Sequence, residues 1–281
     1  MVRYDPDHDS DDVIDRRRQR SGGMGVDPRL AATLFRFVAS RWGIGGVLVV
    51  AVIGVALYAL TSPLAQVDPP AEGGAAPTDE EASFVGFVLD DIQETWSARR
   101  PGYQRAQLVL FRDVTTTGCG YGQSAMGPFY CPLDERVYVD LSFFDALARL
   151  GGPGDFAQAY VLAHEIGHHV QNQVGILEKA RGPNASGDGG PAVRVELMAD
   201  CFAGVWAAAA DQRGILELGD VEEGFAAAAA IGDDRLQSQQ GGRVTPDSFT
   251  HGTSEQRVRW FRRGLEAGNP DACNTFAAAS L

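Results

Sequence analysis

The stretch His-Glu-Ile-Gly-His at residues 164–168 constrains the fold more than any other part of the chain. Two histidines four residues apart project from the same face of an α-helix, so both imidazoles can reach one metal ion. Glu165 stands between them, where a carboxylate can act as a base beside the open position of a catalytic zinc site. The stretch therefore predicts a helix with one face committed to a metal.

The flanking residues support this helix. Apolar side chains recur at helical spacing from Phe156 to Val174, Asp155 can cap the start and Gly175 can end the helix. The pattern predicts about five turns buried on one side. His169 lies about 100° further round the helix than His168, which points it away from the metal and favours a structural role.

A catalytic zinc ion usually has three protein ligands, so a third must come from elsewhere. Glu196 is our candidate, within a second apolar helical pattern that Pro191 can begin. Asp200 lies four residues later on the same face, where it can accept a hydrogen bond from the outer nitrogen of a liganding imidazole. The alternative is that both are solvated acids on an exposed helix face.

Several stretches together resemble the bacterial putative neutral zinc metallopeptidase family. The longer ones are residues 164–171, 196–206 and 251–257, and the shorter ones are 127–132 and 231–235. The resemblance covers residues 81 to 281. It implies a gluzincin-type site that holds one zinc ion per chain on His164, His168 and Glu196, with Glu165 as general base and acid.

His251 is a further candidate catalytic residue. It precedes Thr253 and Gln256, whose spacing predicts a capping box at the start of a helix. One interpretation makes His251 an ordinary turn residue at that helix entry. The other makes it a donor to the oxyanion that forms during peptide hydrolysis, a role that gluzincins often give to a histidine or tyrosine outside the metal motif. Both interpretations remain open at this point.

An apolar segment near the N-terminus predicts one transmembrane helix over residues 42 to 61. Residues 43 to 60 carry no charge and would span about 27 Å as a helix, close to the thickness of a bilayer core. Arginines precede the segment and acidic residues follow it, which predicts a cytoplasmic N-terminus and an extracytoplasmic domain. A cleaved signal peptide is the rival interpretation.

All four cysteines follow the apolar segment, which predicts disulfides in an exported domain. Four cysteines allow three pairings. We favour Cys119 with Cys131, which closes a Gly-rich excursion, and Cys201 with Cys273, which ties the C-terminal tail to the helix of Glu196. Zinc binding by these cysteines is the competing idea, but the close pairs of structural zinc sites are missing.

The remaining organisation follows from composition. Residues 1 to 41 are expected to be cytoplasmic and disordered, residues 62 to 80 to be a flexible linker, and residues 81 to 281 to form one domain. Strands are predicted over residues 107–111 and 136–141. The class is α+β: a zinc-peptidase-like domain in which helices carry the metal ligands beside a small β-sheet. The net charge of −13 disfavours binding to nucleic acid.

These features predict a membrane-anchored zinc metalloendopeptidase that cleaves proteins or peptides outside the cytoplasmic membrane. The alternative is a catalytically inactive module that keeps the fold and binds an envelope protein. Zinc storage is a weaker idea, since it needs no Glu165 between the ligands. An extended substrate is expected to pair with the edge of the strand at residues 136–140, although the same pattern fits an interior strand.

Overall fold

The computed structural model describes residues 1–18, 79–180, 182, 185–239 and 244–281. Both the predicted transmembrane helix at 42 to 61 and nearly all of the predicted linker lie outside these residues. Within the described ranges, no helix combines the length and apolarity needed to span a bilayer.

Helices make up most of the described domain, and they match the α+β class. In these residues there are seven α-helices: α1 Asp79–Arg99, α2 Ser142–Arg149, α3 Asp155–Gln173, α4 Pro191–Gln212, α5 Asp220–Ala230, α6 Asp233–Gln239 and α7 Ser254–Ala267. Pro191 begins α4 as predicted, because the missing N–H of proline costs nothing in the first turn. After α3, Gly175 has a φ of 72°, a conformation that glycine adopts without strain.

The strands form one mixed sheet and one hairpin. They are β1 Val13–Asp15, β2 Gln107–Phe111, β3 Val114–Thr117, β4 Gly120–Gln123, β5 Phe129–Cys131 and β6 Arg136–Asp140. The sheet has the order β1-β2-β6-β5, and β3 pairs with β4. Strand β6 pairs with β2 in parallel and with β5 in antiparallel orientation. It is therefore an interior strand, and the hypothesis that a substrate pairs with its edge is wrong.

Small residues let the site-bearing helices pack backbone to backbone. At Gly167 of α3, an added Cβ would lie 3.1 Å from the Cα of Ala199 in α4. At Gly264 of α7, an added Cβ would overlap the carbonyl oxygen of Cys201 in α4. Helix α4 is thus held closely between α3 and α7, and its residues from Leu197 to Ala210 are all buried.

Residues 1–18 form an N-terminal arm that packs on the domain. Strand β1 of this arm pairs in parallel with β2, with Val13 opposite Leu108. Val2 is only 3% exposed, and its amide donates to the Asp155 carboxylate at the start of α3. The prediction that the segment before residue 42 is disordered therefore does not hold for residues 1–18.

Polar contacts also fix the arm to the domain. His8 Nε2 lies 2.8 Å from an Asp90 carboxylate oxygen, and Arg105 Nε donates to Asp12 at 2.5 Å. The arm was missed by sequence reasoning because a three-residue strand among aspartates and arginines has no apolar alternation to reveal it.

Both predicted disulfides are confirmed. Cys119 is bonded to Cys131, which joins the β3–β4 hairpin to β5. Cys201 is bonded to Cys273, which joins α4 to the 3₁₀ turn that follows α7. All four cysteines of the chain are thereby paired, so none of them is available as a zinc ligand.

Candidate metal centre

Helix α3 brings the two histidines of the motif together as their spacing predicts. The Nε2 atoms of His164 and His168 lie 3.1 Å apart. Both imidazoles are largely shielded from solvent, with side chains that are 7% and 12% exposed. Two ring nitrogens therefore converge on one small volume on the α4 side of the helix.

Helix α4 supplies the third donor at the same point. Glu196 places one carboxylate oxygen 3.2 Å from His164 Nε2 and the other 3.4 Å from His168 Nε2. The glycine at position 167 makes this possible, because its missing side chain lets α4 approach α3 to backbone contact at Ala199. The prediction that these three side chains share one site thus agrees with the geometry.

The outer nitrogens of both imidazoles are held by oxygen acceptors. His164 Nδ1 lies 2.8 Å from Asp200 Oδ1, and His168 Nδ1 lies 2.9 Å from Gln171 Oε1. The amide nitrogen of Gln171 donates to the carbonyl of Val195, which fixes its oxygen toward His168. Each Nδ1 therefore carries the proton, and each Nε2 presents a lone pair to the shared volume.

These donors fit a zinc ion in number, chemistry and spacing. Donor atoms about 2.0–2.1 Å from a tetrahedral zinc are roughly 3.3 Å apart, and here they are 3.1–3.4 Å apart. Two nitrogens and a carboxylate are also a common donor set of catalytic zinc. Two facing lone pairs and a half-buried carboxylate repel one another unless a positive charge lies between them.

The electrostatic surroundings of His164 and Glu196 also favour positive charge at this point. Burial lowers the pKa of His164, but Asp200 and the hydrogen bond to Glu196 outweigh it and raise the pKa to about 10. Burial raises the pKa of Glu196, but His168 and His164 hold it well below its usual range. Both shifts favour positive charge at the point where the three donors meet.

Glu165 is the remaining residue of the motif. It is 7% exposed and follows His164 directly in α3. Among the described residues, no hydrogen bond or ion pair engages its side chain. A carboxylate without a structural partner beside a metal position is free to exchange a proton with water.

His169 has the structural role that its helix position predicts. It is fully buried, and its two nitrogens contact the Tyr130 hydroxyl at 3.0 Å and the Gln104 carbonyl at 2.7 Å. Burial lowers the pKa of His169, which favours the neutral ring. It connects α3 to β5 and to the segment before β2.

His251 lies in the loop that enters α7, and Asp233 of α6 holds it there. One Asp233 oxygen accepts from the backbone amides of residues 250 to 252, and the other lies 3.1 Å from His251 Nδ1. The hydrogen bond to Asp233 is the main cause that raises the pKa of His251, and the charge of Glu196 raises it further. The half-exposed His251 side chain therefore lies within electrostatic reach of the metal donors.

Sequence reasoning assigned no role to three residues that complete this arrangement: Gln171, Asp233 and Arg257. Gln171 is in the motif stretch, three residues after His168, so its helix spacing was a usable signal. The other two meet the site only because α6 and α7 pack against α4 and its neighbours, which no local pattern reports. The predicted capping box of α7 is confirmed, with Thr253 and Gln256 bonded reciprocally.

Helix α3 thus carries two histidines with a glutamate between them, and a glutamate of α4 completes a set of three donors that could hold one metal ion. Comparison with known proteins gives the family. The chain belongs to the family described as putative neutral zinc metallopeptidase, whose model matches residues 2–276. The match begins at residue 2 and so includes the sequence of the N-terminal arm.

Relatives occur in bacteria. The chain is 46% identical to "Uncharacterized protein YpfJ" of Escherichia coli (strain K12) over 289 aligned residues, which cover 98% of this chain and 99% of the relative. It is 45% identical over 204 residues to "Uncharacterized protein Rv2575" of Mycobacterium tuberculosis, covering 68% of this chain and 69% of the relative. No solved structure matches the chain.

Proposed function

We propose that this protein is a zinc-dependent metalloendopeptidase that binds one zinc ion per chain and cleaves peptide bonds of proteins or peptides. The convergence of His164, His168 and Glu196 around one volume, with Glu165 between the two histidines in α3, is the observation that supports this most. The family supports the same class of activity and substrate. When bound, zinc supplies a Lewis acid that polarises the scissile carbonyl.

Side chains of the protein carry out the proton transfer and orient the ligands. Glu165 takes a proton from the attacking water and passes it to the amine that leaves. Asp200 and Gln171 keep the Nε2 lone pairs of the two histidines directed at the metal position. Because these supporting contacts are buried, the donor atoms stay in place without substrate.

His251 is proposed to donate a hydrogen bond to the carbonyl oxygen as negative charge develops on it. Its Nδ1–H is engaged by Asp233, so Nε2 carries a proton only when the ring is an imidazolium. The raised pKa of His251 favours that form. The Asp233–His251 pair is thus suited to hold a charged donor close to Glu196.

The substrate chain is proposed to lie along β5 in place of β6. Strand β5 is the outer strand of the sheet next to β6, and it contacts α3, where Asn172 donates to the Tyr130 hydroxyl. Main-chain pairing with an outer strand holds an extended peptide of any sequence. This arrangement would place a peptide beside the helix that carries the metal donors.

The domain is proposed to work outside the cytoplasm. Two disulfides persist only in an oxidising compartment, which supports export. The arm adds a restriction, because β1 and β2 can pair only if both lie on the same side of a membrane. A single crossing of the membrane by residues 42 to 61 would place β1 and β2 on opposite sides. The predicted crossing and the β1–β2 pairing therefore cannot both occur in one molecule.

The deciding experiment uses the full-length protein and a diverse peptide library, with and without a chelator. Wild type should cleave peptides, and the chelator should abolish cleavage. Glu165→Gln should keep about one zinc per chain and lose about 10²–10⁴-fold in activity, because the base is not a ligand. His164→Ala should lose both zinc and activity. Equal cleavage by wild type and Glu165→Gln would contradict the proposed mechanism.

A further inference from the structure

A buried arginine lies directly behind the metal centre. Arg257 of α7 is 2% exposed. Its guanidinium donates to both carboxylate oxygens of Asp200, from Nε at 3.0 Å and from NH2 at 2.8 Å. The same group also donates to the hydroxyl of Tyr160 at 3.2 Å. A guanidinium buried this deeply needs such a set of acceptors, because an unpaired charge in the interior is costly.

Asp200 is the shared acceptor of this cluster. Its Oδ1 lies 2.8 Å from His164 Nδ1, 2.8 Å from Arg257 NH2 and 2.5 Å from the Tyr160 hydroxyl. With Arg257 Nε on Oδ2, the carboxylate cannot rotate without breaking several hydrogen bonds. The orientation of the His164 ring therefore depends on Arg257 of α7, a residue that is not itself a candidate metal ligand.

The charge of Arg257 has a separate consequence. A carboxylate bonded to a liganding imidazole makes the imidazole a stronger electron donor. Here the carboxylate already balances a guanidinium charge, and Arg257 NH2 lies only 3.4 Å from His164 Nδ1. The arginine thus reduces the electron donation that Asp200 exerts through His164. It also fixes the orientation of the Asp200 carboxylate.

The packing of α7 explains why an arginine can reach this point. Gly264 and Gly204 let α7 and α4 touch along their backbones, so a side chain two turns before Gly264 lies next to Asp200. The start of α7 is fixed by its capping box, which sets the rotation of the helix. The segment that carries Arg257 thus begins at the loop of His251, which Asp233 holds at the entry of α7.

We propose that Arg257 is a positioning residue of the zinc site, which sets metal affinity and the ligand field by locking and neutralising Asp200 behind His164. This rests on the zinc site of the proposed function but not on peptide hydrolysis. The prediction is specific: loss of the guanidinium should change metal binding by the folded protein, beyond any effect on stability.

The test compares Arg257→Met and Arg257→Lys with Arg213→Met. Arg213 follows the C-terminal end of α4 and donates to both carboxylate oxygens of Asp91 in α1, at 3.0 and 2.6 Å. It therefore makes a similar ion pair away from the metal donors. Measurements are thermal unfolding, the zinc dissociation constant by chelator competition, and the visible spectrum of the Co²⁺-substituted protein. Both methionine variants should unfold at lower temperature than wild type.

Only the Arg257 variants should change metal binding. Arg257→Met frees the Asp200 carboxylate to turn away from His164, and this loss of orientation should outweigh the gain in electron donation. The variant should therefore bind zinc about 10–100-fold more weakly and shift the Co²⁺ bands, whereas Arg213→Met should match wild type. Arg257→Lys keeps the positive charge but lacks the planar pair of N–H donors of a guanidinium, so it should recover part of the zinc affinity. If Arg257→Met does not fold, Arg257→Lys decides: wild-type zinc affinity and Co²⁺ spectrum in this variant would overturn the proposal.

Failure of the proposal is separable from failure of the proposed function. If the wild-type chain binds neither Zn²⁺ nor Co²⁺, the zinc site itself is refuted and the role of Arg257 with it. If it binds zinc but cleaves no peptide, the peptidase proposal fails while the affinity and spectral comparisons still decide the role of Arg257. Equal zinc affinity in wild type and Arg257→Met would make the arginine a purely structural residue.

Discussion

Among single residues, His251 shows how a neighbour can decide what a side chain is able to do. Its sequence position allows either a turn residue or a catalytic donor. Asp233 favours the second role, because it raises the pKa of His251 and orients the ring through Nδ1. Burial raises the pKa of Asp233 itself, but the hydrogen bonds from His251 and its loop outweigh this, so the carboxylate stays ionised.

Asp233→Asn should therefore change the pH dependence of catalysis. As a donor, His251 is active below its pKa and inactive above it, so activity should fall as the pH rises through that value. Removing the Asp233 charge removes the main cause of the raised pKa, and the alkaline fall of kcat/KM should move to lower pH. The measurement is kcat/KM against pH, with zinc content unchanged.

Asp234→Asn is the matched control. Asp234 accepts hydrogen bonds from the amide of Ser254 at 2.8 Å and from its hydroxyl at 2.9 Å, at the start of α7, whereas the contacts to His251 come from Asp233. Its variant should keep the wild-type pH profile while losing some stability. An identical alkaline limb in wild type and Asp233→Asn would remove His251 from the catalytic mechanism.

Among the elements, the contact between α4 and α7 leaves no room for a side chain. A methyl group at Gly264 would overlap the Cys201 carbonyl, and backbone atoms cannot move aside as a flexible side chain can. Gly264→Ala should therefore destabilise the fold by about 3 kcal/mol or more, although alanine is intrinsically the better helix former. The free energy of unfolding in denaturant measures this.

Glu266→Ala on the exposed face of α7 is the control, and it should change stability by no more than about 0.5 kcal/mol. A Gly264→Ala protein as stable as this control would show that the two helices can separate without cost. Zinc affinity should fall only in the glycine variant, since displacement of α7 also displaces Arg257.

The elements also show which parts of the fold a sequence can predict. Helices α3 and α4 and strands β2 and β6 follow from local apolar periodicity, and their predicted bounds agree closely with the structure. The pairing of His164 with His168 follows from their i, i+4 spacing, and Glu196 was predicted as a third ligand from the second helical pattern. The interior place of β6 and the contacts of Asp233 and Arg257 could not be predicted, because they depend on which elements become neighbours.

For the whole molecule, the docked arm makes the topology testable. All native cysteines are paired, so Asp7→Cys on the exposed part of the arm introduces the single free thiol. A membrane-impermeant maleimide added to spheroplasts should label it as readily as Glu255→Cys, a control at a residue whose side chain is 82% exposed. Both labels are expected because β1 and the domain must share a compartment.

Labelling of Glu255→Cys alone would show that residues 1–18 are cytoplasmic. The predicted single crossing would then be correct, and β1 would not pair with β2 in the cell. Labelling of neither thiol until the membrane is broken would place the domain inside, against the proposal that is based on the disulfides.

Strand β1 also protects the sheet from other molecules. A protein shortened to begin at α1 would leave the outer edge of β2 without its partner, and β2 is a buried run of Leu108, Val109, Leu110 and Phe111. An apolar strand with free backbone N–H and C=O groups is a template for pairing between chains. Truncation intended to improve solubility would therefore promote aggregation, and the arm should be kept for biochemical work.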